Sequence, residues 1–129
     1  MTVGILATGD EIVHGDTLNT NSHDIAHALS SEGLPLGVHV SCSDKEADII
    51  NSLHFLTQKH DIIIIIGGLG PTTDDLTRFA LSQFTGQTLI QHAAALEHIT
   101  SRLRDAHLGL NPGNIQQSLF PEHAQLLPN

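Results

Sequence analysis

Basic residues are scarce in this chain: five Lys and Arg stand against fourteen Asp and Glu, for a formal net charge of -9. A surface of that sign repels the phosphate backbone of DNA or RNA, so nucleic acid is not an expected partner. Cysteine is nearly absent as well, and Cys42, standing alone, can form no internal disulfide. Long apolar runs are missing. The longest is the five isoleucines of Ile62 to Ile66, far short of the roughly 20 residues that span a bilayer. Nothing resembling a signal peptide precedes the first strand-like run, so a cytoplasmic protein without membrane association is expected. There is no internal repeat and no low-complexity segment. The 129 residues, 40% of them apolar, suit a single domain, residues 1–129, around one buried core.

What is present alternates. Val3 to Thr8 is a short apolar segment closed by Gly9 and Asp10, a strand running into a turn. Thr20 offers a helix cap, and Ile25, Ala28, Leu29 and Leu34 recur at helical spacing until Gly33 and Pro35 end the pattern. Leu36 to Cys42 reads as the second strand. Asp44 is placed to cap a second helix with Ile49, Ile50, Leu53 and Leu56 on one face, and the isoleucine run follows as a third strand. Strand and helix alternating in this way imply βαβ crossovers and a parallel sheet covered on both faces, in which an all-isoleucine strand suits a central, doubly buried position. Further helices are expected over 75–84 and 92–107, a turn-rich stretch over 111–114, and a last short strand over 124–127.

In a parallel sheet, ligands bind outside the carboxyl ends of the strands. Three distant segments meet there: Gly9, Asp10 and Glu11 after the first strand, Asp44 after the second, and Gly67, Gly68, Gly70, Thr72, Thr73, Asp74 and Asp75 after the third. The last of these, GGLGPTTDD, leads into a helix, so its amides and the helix N-terminus can hold an anion. It matches neither the dinucleotide fingerprint nor the P-loop pattern. Carboxylates beside bound phosphate repel it unless a cation lies between. Oxygen-only ligands such as Asp10, Asp44 and Asp75, with Glu11 adjacent, suit a divalent ion, Mg²⁺ foremost. Taken singly the same residues have plainer readings: Asp44 as a helix cap, Asp74 and Asp75 as favourable charges at a helix N-terminus, Gly9 and Asp10 as an ordinary turn. Convergence on one edge favours a site, near which only Lys45 and Arg78 stand as candidate positive charges. His23 and His27, four apart, fit a solvated helix face better than a metal pair, and Cys42 fits a strand-end core position.

Three motifs, TGDEIVHGDTLNTN at 8–21, GGLGPTTDDLT at 67–77 and NPGNIQQSLFPEHAQLLPN at 111–129, resemble the MoaB/Mog-like molybdopterin-binding domain family. Within it the chain is most similar to the N-terminal domain of the CinA competence/damage-inducible proteins. The resemblance implies a three-layer α/β/α sandwich with a mostly parallel sheet. It implies a phosphorylated pterin-like or nucleotide-like small molecule as partner, with Asn21 of the first motif joining the glycine-rich loop among the ligand-binding residues. For CinA-type domains it implies a metal-dependent pyrophosphatase acting on ADP-ribose-like substrates. For Mog-type relatives it implies that the positions of Asp44 and Asp75 serve catalysis of adenylyl transfer to molybdopterin. The family places a basic residue and then Gln-Ala where this chain reads Gln116, Gln117 and Ser118. Its pattern also continues beyond Asn129 with a glycine- and proline-rich substrate loop. Three readings follow: a pyrophosphatase domain with Asp10, Glu11 and Asp75 on Mg²⁺; a molybdopterin-binding or molybdopterin-adenylylating protein; and a truncated, non-catalytic assembly or regulatory domain. A homo-oligomer is expected.

Overall fold

A computed structural model of the chain describes residues 1–128; Asn129, the last residue of the third motif, lies outside them. Strand β1 (Val3–Thr8) runs between β2 (Leu36–Cys42) and β3 (Ile62–Ile66), parallel to both. Leu6 lies level with Val40 on one side and Ile65 on the other. All six residues of β1 are buried. The central, doubly buried strand is therefore VGILAT and not the isoleucine run expected there. β3 forms one edge of this sheet, with Ile62 39% exposed and the other isoleucines half-buried. The first crossover carries the chain from β1 to β2 and the second carries it from β2 past β1 to β3, so position in the strand order, which composition does not encode, decides burial.

On the Leu6 face, Cys42 packs with Ile49, Leu53 and Leu56 of α3 (Glu46–Thr57) and Ala80 of α4 (Thr77–Thr85). The stripe at positions 49, 53 and 56 is the helical spacing expected of a core-facing helix. The opposite face of β1 carries Val3, Ile5 and Ala7, also buried. Helix α2 (Thr20–Ser31) packs against β2, and the whole is a three-layer α/β/α sandwich. His60, just after α3, fastens β2 to that helix. Its Nε2 accepts from the Val38 amide at 2.9 Å and its Nδ1 lies 3.0 Å from the Leu56 carbonyl, which places the proton on Nδ1. Gly37 is required beneath it, since a Cβ there would run into the imidazole ring.

Element ends depart from the sequence reading in several places. Asn19, not Thr20, caps α2, its side-chain oxygen accepting from Ser22 N at 3.2 Å. Asp44 does not cap α3, whose N-cap is Lys45 without a side-chain bond. Helix α4 starts at Thr77 rather than Asp75, because Asp75 turns back onto its own loop. Residues 124–127 form no strand. Instead β4 (Leu89–Gln91) pairs antiparallel with β5 (Leu119–Pro121), a separate two-stranded ribbon. Helix α5 (Ala93–Asp105) falls within the expected 92–107 span. The opening Gly-Asp turn is one helical turn, α1 (Asp10–Val13), and the stretch after Asn111 winds into α6 (Pro112–Gln116), capped by the Asn111 side chain on Asn114 N at 2.9 Å. Among the described residues no helix is long and apolar enough to cross a membrane.

Candidate functional site

The glycine-rich loop leaves β3 in two left-handed steps, Gly67 at φ 97° and Gly68 at φ 67°. Both glycines are also required sterically. A Cβ on Gly67 would collide with the Thr8 carbonyl, and one on Gly68 with Thr77 Oγ1. Thr77, 1% exposed, donates its hydroxyl to Gly67 O at 2.8 Å and its amide to Gly68 O at 3.2 Å, so the loop's carbonyls turn inward onto the first turn of α4. Among the described residues the amides of Gly68, Leu69, Thr73 and Asp74 donate to no protein acceptor. Those donors, close to the N-terminus of a nine-residue helix, suit an anion.

Asp75 closes the loop on itself. Its Oδ2 accepts from the Thr72 amide at 2.9 Å and from the Thr72 hydroxyl at 2.6 Å. Burial pushes its carboxyl up, but the bonds from Thr72 and the Gly70 amide, with the Arg78 charge, outweigh that and hold it below the usual carboxylate range. Arg78 supports the same loop from behind, donating Nη2 to Leu69 O at 2.6 Å. It is 4% exposed, and burial lowers its pKa while Asp75 opposes the shift. The basic charge expected near the ligand edge thus lies under the loop. Gln116, from the third motif, reaches the carbonyls of Thr72 and Asp75 at 3.4 and 3.5 Å. The sequence reading missed this contact, although the third motif contains the residue.

The remaining carboxylates gather elsewhere. Asp10, Glu11, Asp44 and Asp74 line an open depression of about 480 Å³, together with His14, Asp16 and Lys45. Asp10 and Asp44 exchange bonds across it: Asp10 N donates to Asp44 Oδ2 at 3.2 Å and Asp44 N to Asp10 Oδ1 at 3.0 Å. That exchange, not capping of α3, occupies Asp44. Burial raises its pKa, the bond from Asp10 N lowers it, and the charges of Asp10, Glu11 and Asp74 raise it further. With the folded-state pKa raised, ionisation of Asp44 opposes folding: the penalty is absent below the unfolded carboxylate pKa and complete above the folded one. Asp44→Asn keeps an acceptor for Asp10 N and removes the charge. It is expected to raise the melting temperature at pH 7 and to lose that advantage on acidification below about pH 4. Paired thermal melts across this range check it, and a gain independent of pH would contradict the electrostatic cause.

The structure therefore brings Asp10, Glu11, Asp44 and Asp74 together and keeps Asp75 apart from them in its own loop. Asp10, Glu11 and Asp75, expected as one metal-ligand set, are not gathered, and among the described residues no group of three or more His, Cys, Asp or Glu is arranged to hold an ion. Gly9 is buried at the head of α1, its amide donating to Cys42 O at 3.1 Å. Asn21 is exposed on the first turn of α2, outside the depression. His14 and Asp16, not singled out in the sequence, were within reach of it, since both belong to the first motif.

Comparison with known proteins bears on this arrangement. Residues 4–124 match the model of a family described as "Probable molybdopterin binding domain". The whole chain aligns at 38% identity with a CinA-like protein of Geobacter sulfurreducens, covering 31% of that protein, and 98% of it aligns at 37% identity with a CinA-like protein of Colwellia psychrerythraea, covering 29%. The chain thus spans about a third of the length of these relatives. Among solved structures, the protein CinA of Thermoplasma acidophilum, titled as of unknown function, superposes with a TM-score of 0.86 at 27% identity, over 94% of this chain and 70% of that one. The molybdopterin biosynthesis enzyme MoaB of Thermus thermophilus shares the fold at a TM-score of 0.60 and 20% identity, over 91% of this chain and 86% of that one. Family match, fold and loop agree: the chain belongs to the family of probable molybdopterin-binding domains, has the MoaB/Mog-like fold, and is related to the N-terminal domain of CinA-like proteins.

Proposed function

We propose that the chain binds a phosphorylated pterin or nucleotide, with a phosphate seated on the amides of the loop over residues 67–74. One observation carries this reading: the loop turns its carbonyls onto Thr77 and Arg78 while the amides of Gly68, Leu69, Thr73 and Asp74 donate to no described protein group. Donors left unpaired in water cost little, and on meeting a phosphate they form charge-assisted bonds. The "molybdopterin binding" of the family description and the pterin chemistry in the names of the fold relatives support the pterin.

A second reading, hydrolysis of a pyrophosphate in an ADP-ribose-like substrate, is favoured by the four carboxylates of the neighbouring depression. Their hard oxygen donors fit Mg²⁺, which is held by one or two carboxylates with water and substrate phosphate completing its shell, so a preformed cage is not required. Bound there, the ion would supply charge neutralisation and polarisation of phosphorus. One or two of Asp10, Glu11 and Asp74 would supply its carboxylate contacts. Asp44, with its raised pKa, is suited to accept and return a proton.

Titration calorimetry with ADP-ribose and with molybdopterin, each with and without Mg²⁺, tests both readings. Binding of at least one ligand is expected, with adenosine, which lacks phosphate, weaker by about tenfold or more. Equal binding of adenosine and ADP-ribose would remove the loop from recognition. Release of AMP from ADP-ribose only with Mg²⁺ would establish the second reading, and its absence beside tight molybdopterin binding would leave the first.

A further inference from the structure

We infer that Gln116 of α6 is a positioning residue for the loop over residues 67–75, an assignment that rests on the phosphate reading above and extends it to a side chain outside the loop. By drawing two of the loop's carbonyls onto α6, it leaves the amides to the ligand and sets the preference for a phosphate-bearing over a phosphate-free molecule.

Every peptide unit brings a carbonyl as well as an amide, and the partial negative charge on the oxygen repels an anion just as the amide attracts it. A loop therefore holds phosphate well only when its carbonyls are engaged elsewhere. Gly67 O and Gly68 O are taken by Thr77, and Leu69 O by Arg78 Nη2 at 2.6 Å. Among the described residues neither Thr77 nor Arg78 bonds to the far end of the loop. There Gln116 is the donor, its Nε2 lying 3.4 Å from Thr72 O and 3.5 Å from Asp75 O. Thr72 O already accepts from the Asp75 amide at 3.2 Å, and a carbonyl has a second lone pair to offer. The side-chain amide nitrogen carries two hydrogens, so one residue serves both oxygens. Both bonds are long, so they steer the loop more than they stabilise the fold.

Helix α6 is itself fixed against the loop. Gly113 lies on Pro71, where a Cβ would collide with the Pro71 carbonyl. Its φ is not positive, so glycine is required there for close approach alone. Gln117, the C-cap of α6, places its carbonyl 3.4 Å from the same Arg78 Nη2 that holds Leu69 O. Gly113, Gln116 and Gln117 thus tie α6 and its C-cap to the loop and to the guanidinium beneath it. A side chain on a helix seated in this way has little freedom to leave the two carbonyls.

Gln116→Met, which keeps the length of the side chain and removes its donor, tests the assignment by calorimetric titration with ADP-ribose and with adenosine, Mg²⁺ present, beside thermal melts and amide NMR of the ligand-free proteins. ADP-ribose is expected to bind about fivefold more weakly than to the wild type, the factor of one neutral hydrogen bond, with adenosine affinity and melting temperature unchanged. The ligand-free amide resonances of residues 72–75 should move. Gly113→Ala provides an independent arm: it lifts α6 from Pro71 and should weaken ADP-ribose, but not adenosine, in a folded protein. Absence of any preference for ADP-ribose in the wild type would remove the phosphate reading and this assignment with it. A wild-type preference kept in full by Gln116→Met, an equal loss of both ligands, or unmoved resonances over 72–75 would overturn the assignment alone.

Discussion

Gly68→Ala is expected to lower the melting temperature by roughly 10 °C, corresponding to a loss of about 3 kcal/mol. Two effects add. At φ 67° the backbone is left-handed, which costs a residue bearing a Cβ about 1 to 2 kcal/mol. The added methyl also meets Thr77 Oγ1, and overpacking of this kind costs about 1 to 3 kcal/mol. Thr77 has little freedom to yield, being 1% exposed with its hydroxyl held by Gly67 O at 2.8 Å. Gly86 separates the two effects: its φ is 68°, yet a Cβ there would meet nothing within 4 Å. Gly86→Ala should therefore show the conformational cost alone, about 1 to 2 kcal/mol. Thermal melts of the two variants decide the matter, and equal losses would show that the contact with Thr77 relaxes.

Asp75→Ala is expected to weaken binding of a phosphorylated ligand by about 100-fold, with a much smaller change in melting temperature. Its carboxylate is the acceptor that draws the Thr72 amide and hydroxyl into the loop. Without it, the loop that carries the anion-binding amides must be ordered at the expense of binding. Asp75 lies outside the core, so global stability is little involved. Its depressed pKa also sets the direction with pH. The stabilisation of the loop is complete above the unfolded carboxylate pKa of about 3.9 and fades as pH falls through the lower folded value. Asp75→Ala should lose that acid-side fall, and Asp75→Asn, which keeps one acceptor, should recover part of the affinity. Calorimetric titration of the three proteins would expose the alternative: wild-type affinity in Asp75→Ala would mean that the loop is ordered without its clamp.

Much of the fold was legible because its signals are local. The stripe at Ile49, Leu53 and Leu56 marks a helix through its period, and the Gly67–Gly68 pair marks a chain that must turn left-handed, whatever lies nearby. The motif ends brought Asp10 and Asp44 to one edge correctly, since parallel strands deliver their carboxyl ends together. The failures share a different cause. The isoleucine run has the composition of a central strand and occupies an edge, because strand order depends on where two crossovers pass and not on any residue within the strand. Asp75 carries the same charge as Asp74, two bonds from Thr72 turning one inward while the other faces the depression. Arg78 reads in sequence as a cation near the phosphate edge, but only the packing of α4 against β5 buries it beneath the loop. Sequence alone determined the first three strands, the helices α2, α3 and α5, the glycine turns and the family resemblance, which rest on near neighbours along the chain, but not the β4–β5 ribbon. Tertiary structure decided which carboxylates face one another and which cation is buried, because those depend on contacts between residues far apart in the chain.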